Sequence, residues 1–252
     1  MRRAVLSLIV ISLVVAAVAD PEPKTVRTRI ADGFDQPVGP PDAEGYYMSR
    51  GFRPNGHLGE DWNGIGGGNT DIGKPIYSTA HGLVVLARDV RLGWGNVVII
   101  RHVYLEGGQL KMVDSLYGHL DRIMVREGQQ ITRGQQIGTM GSNRGMYLAH
   151  LHFEIRKNIA IGMNRSQFKR DYSNYYSPTD FIRTRRKLPG GGRSAPVPID
   201  TYDKTREFSQ PTDDSRGRAV STLGRAVAPK ASPTPSPRKT FRVERFGTMD
   251  AF

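Results

Sequence analysis

Ala149-His150-Leu151-His152-Phe153-Glu154-Ile155-Arg156 is the stretch on which the reading of this chain turns. If the segment is extended, its two histidines share a face, because side chains alternate along a β-strand. Leu151, Phe153 and Ile155 then fall together on the opposite face, where they can enter a core. A strand that is apolar on one side and carries two imidazoles on the other presents metal ligands rigidly. Two exposed histidines on an edge strand would be written in the same letters. Glu154 lies on the histidine face, where it can hold a ligand histidine from behind or stand as a solvated strand charge.

Two upstream stretches favour the metal reading. In His57-Leu58-Gly59-Glu60-Asp61 the imidazole and the carboxylate are an even number of residues apart, so an extended segment aims both the same way. Both groups are good zinc ligands, and one histidine of the 150–152 pair completes a His, Asp, His set. Three protein ligands leave the fourth tetrahedral position to water, the arrangement of a catalytic rather than a structural site. In Tyr117-Gly118-His119-Leu120, His119 stands inside an apolar stretch. Alone it would read as a core histidine; with the others it joins a convergent site. Of the remaining histidines, His81 reads as a surface turn residue and His102 as a strand residue used in packing or at a rim.

The first residues give an address. Arg2 and Arg3 precede an apolar run at 4–19 that ends Ala17-Val18-Ala19 before Asp20, the pattern of a secretory signal peptide over 1–19. The run is shorter than the roughly 20 residues that span a bilayer, so membrane contact is expected only through this segment before cleavage. The mature chain is therefore expected in the periplasm, the cell wall or the medium. Cysteine is absent, which excludes disulfides and lipid attachment to a cysteine. The net charge of +12 is uneven: residues 183–252 hold fifteen basic and seven acidic residues, and the part before them is close to neutral. Outside the cytoplasm such a tail is not expected to meet nucleic acid. Anionic envelope polymers are a partner it fits, a solvated linker being the plain alternative.

Residues 20–45, rich in Pro, Asp and Gly, form a lead-in segment that packs over the domain or stays loose. From 46 to 182 the pattern is short strands split by glycines, expected at 75–80, 82–87, 97–105, 110–120 and 123–125. Gly-Gln-Gln-Ile occurs at 128–131 and again at 134–137, as in a tightly wound β-structure. One helix is expected to start at Ser177-Pro178-Thr179-Asp180, where a cap residue and a first-turn proline fit. The expected class is mainly β, a curved antiparallel sheet or flattened β-sandwich of short strands. Residues 183–252 are expected to be a largely disordered tail entered through Pro189-Gly190-Gly191-Gly192, with a short docking strand possible at 241–246.

In order along 53–156 the chain carries His57-x-Gly59-x-Asp61, Gly73-x-Pro75-Ile76, Gly93-x-Gly95-Asn96, Tyr117-x-His119-Leu120, the glycine–glutamine stretch from Gly128 to Gly138, and His150-Leu151-His152-Phe153-Glu154. This series resembles the LytM/lysostaphin-type zinc metalloendopeptidases of bacterial cell-wall turnover. The resemblance implies one zinc ion per chain, held by His57, Asp61 and His152. It implies that His119 and His150 stand beside the metal as the catalytic pair and that the substrate is the peptide part of peptidoglycan. One of the pair would orient or deprotonate the water, and the other would serve the oxyanion or the leaving amine. The alternative is a catalytically silent module of the same fold that activates other cell-wall hydrolases. A lipoyl- or biotin-carrier reading of the repeat fails because the turn Thr132-Arg133 has no lysine. The chain departs from the family pattern in a longer, glycine-rich stretch at 62–72, which is either a rim of the substrate groove or a plain surface loop.

Overall fold

The structure, a computed structural model, describes residues 24–53, 56–91, 93–163, 168 and 171–202. The expected signal peptide, the greater part of the expected tail and the 241–246 stretch lie outside the described residues. The elements in chain order are β1 (Thr25–Arg29), β2 (Tyr46–Arg50), β3 (Glu60–Gly64), β4 (Pro75–Tyr77), β5 (Gly82–Asp89), β6 (Asn96–Glu106), β7 (Gln109–Ile123), β8 (Gln130–Ile131), β9 (Gln136–Met140), β10 (Leu151–Arg156), β11 (Tyr175–Tyr176), α1 (Pro178–Thr184) and β12 (Ser194–Pro198).

The fold is mainly β and its pairings are antiparallel, as expected. Val97 to Ile100 supply the β-branched run of β6, and the chain returns as β7 through Gly107-Gly108, both at positive φ as a two-residue hairpin requires. Around this pair the sheet runs β2-β3-β10-β7-β6-β5-β8, while β9 joins β4 to the far end of β7 and β11 lies on the end of β10. β7 outlasts its expected end at 120 and takes in Ile123, so no separate strand forms at 123–125. α1 starts where expected, after Ser177 with Pro178 in its first turn.

One sheet face makes the main core. Leu151, Phe153 and Ile155 of β10 and Tyr117 of β7 are fully buried there with Val98 and Ile100. The cover comes from outside the repetitive part of the sequence. Ala31, Phe34 and Val38 of the lead-in and Phe181 and Ile182 of α1 enter the same cluster. Phe34 meets His102, Tyr104 and Phe181 edge-on, with centroids 5.5, 5.7 and 4.9 Å apart. The lead-in therefore packs; its prolines discourage regular structure but not burial.

Residues 183–202 correct the expectation of a loose tail at its start. β12 pairs with β1 along its whole length, Ser194 opposite Arg29 and Pro198 opposite Thr25. Ala195 and Val197 alternate inward against Ile30, Leu83 and Val103. Two inward apolar positions and a ready partner strand outweigh the composition, which is all the sequence displays.

The second sheet face carries His152, Glu154 and Arg156 of β10. It is covered by the segment after β10, with Met163 packed on Val85, Val97, Ile99 and Leu116. Along β10 this face runs from a closed, charged interior at Arg156 to an open end at His152.

Candidate metal centre

His57, Asp61 and His152 meet at the open end of that face. Asp61 lies on β3 directly opposite His152 of β10, so the cross-strand pairing alone puts carboxylate and imidazole together. His57 stands four residues earlier on an irregular approach. Gly59 lets that approach pass: a Cβ there would lie 2.2 Å from the carbonyl oxygen of Phe153. Three atoms result at nearly equal spacing. His57 Nε2 is 3.0 Å from His152 Nδ1 and 3.1 Å from Asp61 Oδ1, and His152 Nδ1 is 2.9 Å from Asp61 Oδ1.

The hydrogen bonds on the outer sides of these rings decide what the inner atoms are. His57 Nδ1 is 2.8 Å from the Gly51 carbonyl, which can only accept, so the proton of the neutral ring sits there and Nε2 is a lone pair. His152 Nε2 is 2.9 Å from Glu154 Oε1, so in the neutral ring the proton sits there and Nδ1 is a lone pair. With both rings neutral, these two nitrogens and the carboxylate oxygen turn three electron pairs toward one another at about 3 Å. Such a triangle calls for a positive charge, a proton on His152 in the metal-free protein or a metal ion among the three. Two ligands of a tetrahedral zinc, each at about 2.0–2.1 Å, are about 3.3 Å apart, close to the spacings found. The donor set and its geometry fit a zinc ion.

His119 and His150 stand beside the triangle, prepared in the same way. His119 Nδ1 donates to the Trp94 carbonyl at 3.1 Å and His150 Nδ1 to the Leu148 carbonyl at 2.7 Å, which leaves each Nε2 bare. Their ring centroids are 4.8 Å apart, and His119 is 5.8 Å from His152. His119 arrives by a route that alternation forbids. Gly118 is the β7 partner of His152, so the next residue should point to the other face. His119 instead has φ +61, next to register shifts against β6 and β9. This bulge returns its ring to the histidine side.

Electrostatics separate the groups. Burial would raise Asp61, but the two imidazoles that face its carboxylate, His152 first, outweigh it and hold the carboxyl well below the usual range. Burial pulls His152 down, yet the bonds to Asp61 and Glu154 and their charges win, and it is held up at about 9. Burial, with the repulsion of His152 and His150, pushes His119 down to about 3, so it is neutral over the physiological range.

Glu154 is not a solvated strand charge. It is fully buried, holds His152 through one oxygen and takes the Arg156 guanidinium at 2.6 Å through the other. Arg156 also binds the Gly162 carbonyl. Next to it Arg101 forks onto Asp114 with two bonds of 2.7 Å and reaches the carbonyls of Pro198 and Ile159 at 2.7 Å. A line of buried charges thus braces the back of one site histidine.

The site opens into a cleft of about 370 Å³ lined by the five residues together with Arg50, Gly93, Trp94 and Tyr147. Of the last four, Gly93 belongs to the Gly93-x-Gly95-Asn96 motif, and Arg50, Trp94 and Tyr147 were given no role from sequence. Tyr147, whose ring centroid is 4.8 Å from that of His119, is the one that a signal could have found, an aromatic in the short loop entering the histidine strand. The 62–72 stretch continues β3 as far as Gly64 and then turns, and Asn69 fastens it to the Ala149 amide at 2.9 Å. His102 is a packing residue, fully buried between the His81 carbonyl at 2.9 Å and Ser115 Oγ at 2.7 Å. His81 is no surface turn residue: it is buried, accepts from the Arg133 amide at 3.0 Å and lies 3.4 Å from Asp32. The lead-in, which brings Asp32, covers it.

Comparison with known proteins gives the family. The profile of Peptidase family M23 matches residues 60–164. Lipoprotein NlpD of Yersinia enterocolitica is 44% identical over 86 residues, which are 33% of this chain and 78% of that protein. The chain belongs to peptidase family M23. Two further relatives of this M23 chain are matched over a smaller share of their length. Murein hydrolase activator NlpD of Salmonella dublin is 40% identical over 40% of this chain and 26% of its own. Peptidoglycan DD-endopeptidase ShyA of Vibrio cholerae is 38% identical over 33% of this chain and 18% of its own. Among solved structures, lysostaphin from Staphylococcus simulans is matched over 56% of this chain and 50% of its own, at 26% identity and a TM-score of 0.41.

Proposed function

We propose that this chain is an exported zinc endopeptidase that hydrolyses peptide bonds of peptidoglycan. The observation that carries the reading is the convergence of one ligand atom each from His57, Asp61 and His152, open to a cleft that two further histidines line. These three residues would hold one zinc ion. When bound, zinc supplies a Lewis acid for the scissile carbonyl and a water acidic enough to lose a proton near neutral pH. The remaining chemistry belongs to the chain. His119 and His150 are each fixed by a carbonyl in the tautomer that accepts a proton at Nε2, so either can take the proton of the attacking water and return it to the leaving amine. His119 is neutral over the working range, so its Nε2 carries no proton when the reaction starts. Trp94, packed edge-on to His152 at 5.2 Å, and Tyr147, beside His119, narrow the water's access from the sides.

The relative named as a murein hydrolase activator supports a second reading, a module that regulates other wall hydrolases. The complete donor set speaks against it, since a silent module has no need of three converged lone pairs. An envelope location follows from both readings, and the basic tail remains suited to its anionic polymers. Digestion of purified peptidoglycan, with products read by mass, separates the two. Wild type is expected to release cut peptides and to carry about one zinc per chain, and His152→Ala to do neither. Uncut sacculi from a folded, zinc-loaded wild type would leave only the activator.

A further inference from the structure

A second pocket lies on the other side of the β2–β3 edge, and nothing in the proposed reaction uses it. It measures about 650 Å³ and is lined by Met48, Phe52, Arg53, Glu60, Lys157, Tyr175, Tyr176 and the start of α1. The strands themselves separate it from the zinc cleft. Glu60 and Asp61 are consecutive on β3, so one faces the pocket and the other the metal centre. On β2 a register shift between Met48 and Arg50 does the same: Met48 pairs with Trp62 and lines the pocket, whereas Arg50 pairs with Asp61 and lines the cleft.

The charges in this pocket are unequally satisfied. Its acids are occupied from within. Glu60 accepts from the Thr179 amide at 3.0 Å, from Thr179 Oγ1 at 2.7 Å and from Trp62 Nε1 at 3.3 Å, and Asp180 pairs with Arg183 at 3.1 Å. Among the described residues its cations are held by aromatic faces. Lys157 Nζ lies 4.5 Å from the centroid of Tyr176, and the Arg53 guanidinium lies between Phe52 and Tyr172 at 5.4 and 5.3 Å. Among the described residues neither cation has a carboxylate within ion-pair distance. An aromatic face positions a cation without neutralising it, and leaves its N–H donors for another acceptor. Met48 and Phe52 add apolar wall beside the two charges.

We infer that this pocket is a binding site for a carboxylate-bearing peptide, and that in the peptidase reading its occupant is a stem peptide of the same polymer whose cross-links enter the zinc cleft. The inference rests on the peptidoglycan reading for the identity of the ligand, but not for the existence of the site. The two cations that line the pocket offer N–H donors to carboxylates, and the apolar wall takes the neighbouring side chain. A stem held behind the β2–β3 edge keeps the protein on the polymer between cuts.

The test is calorimetric titration of the full chain with a synthetic stem tetrapeptide bearing free carboxylates, and with the same peptide fully amidated. The free acid is expected to bind, and amidation to weaken it roughly tenfold or more, as loss of a charged hydrogen bond does. Lys157→Gln and Arg53→Gln, both at exposed positions, are expected to weaken it similarly with no change in unfolding temperature. Asp61→Ala is expected to leave binding intact. Binding that ignores both cation variants, binding abolished by Asp61→Ala, or no binding at all would each overturn the site. Peptidoglycan cleavage by the wild type reports on the peptidase reading separately: cutting without peptide binding sinks this inference alone, and binding without cutting sinks the peptidase alone.

Discussion

At the scale of single residues, the centre is a competition between a proton and a metal for the same lone pairs. Without metal, His152 keeps its proton up to about pH 9, because Asp61 and Glu154 both face it. Its folded value lies above its ordinary 6.5, so its contribution to metal-free stability is full below about 6.5 and is lost as the pH rises through about 9. Zinc must displace that proton. Titration of the metal-free protein with zinc at pH 7.5, in buffers of different ionisation enthalpy, is expected to release about one proton per ion bound. The release should vanish above about pH 10, and a pH-independent heat would contradict the assignment. His102 shows the opposite sign. Burial pushes it down to about 4, so the unfolded chain binds more protons between that value and 6.5. Its contribution is intact above pH 6.5 and falls away toward pH 4, by about 3 kcal/mol in all. Urea titrations across this range should show the loss in wild type and a flatter profile in His102→Gln, whose amide can still donate to the His81 carbonyl and accept from Ser115.

At the scale of elements, one strand organises both interior and site. β10 sends Leu151, Phe153 and Ile155 into the core and His152, Glu154 and Arg156 to the other face, as its letters predicted. The pairing of His57 with Asp61 was legible from even spacing, although only Asp61 is on a strand. His119 was legible as a residue but not as a direction. Strict alternation would have turned it away, and a left-handed residue in a bulge leaves no mark in a hydropathy pattern. The role of Arg156 was not legible either, since an arginine ending an apolar strand is ordinarily a solvated one. Here its guanidinium is the counter-charge that lets Glu154 remain ionised behind His152; burial raises that carboxyl, and Arg156 and His152 bring it down to about 2. Arg156→Met leaves a buried carboxylate with half its partners. It is expected to cost about 3–5 kcal/mol in chemical denaturation and to weaken zinc binding by about 10–100-fold in chelator competition. Equal zinc affinity in a folded Arg156→Met would show that Glu154 holds His152 without help.

At the scale of the whole molecule, the family-matched segment 60–164 is not the whole folded structure described. β1 and β12 lie outside it at opposite ends and pair with each other. Ala31, Phe34, Val38, Phe181 and Ile182, also outside it, supply part of the main core cluster. These segments were the least legible part of the chain, because prolines and glycines in the lead-in and charge after α1 hide a few well-spaced apolar residues. Arg133 shows how they are fastened: it forks onto Asp35 with two bonds of 2.6 Å, and Arg186 meets the same carboxylate at 2.9 Å, tying lead-in, sheet and C-terminal segment at one point. Removing the cover would expose the rings of Tyr104 and His102, both buried against Phe34. A fragment of residues 60–164 is therefore expected to unfold without a cooperative transition, whereas 24–202 unfolds as one unit. Within the longer form, Phe34→Ala opens a cavity among aromatic rings and is expected to cost about 3–5 kcal/mol, although Phe34 does not line the cleft. Thermal denaturation followed by near-ultraviolet circular dichroism measures both. A cooperative 60–164 fragment, or a Phe34→Ala protein as stable as wild type, would mean that the lead-in is an accessory to the sheet and not part of its core.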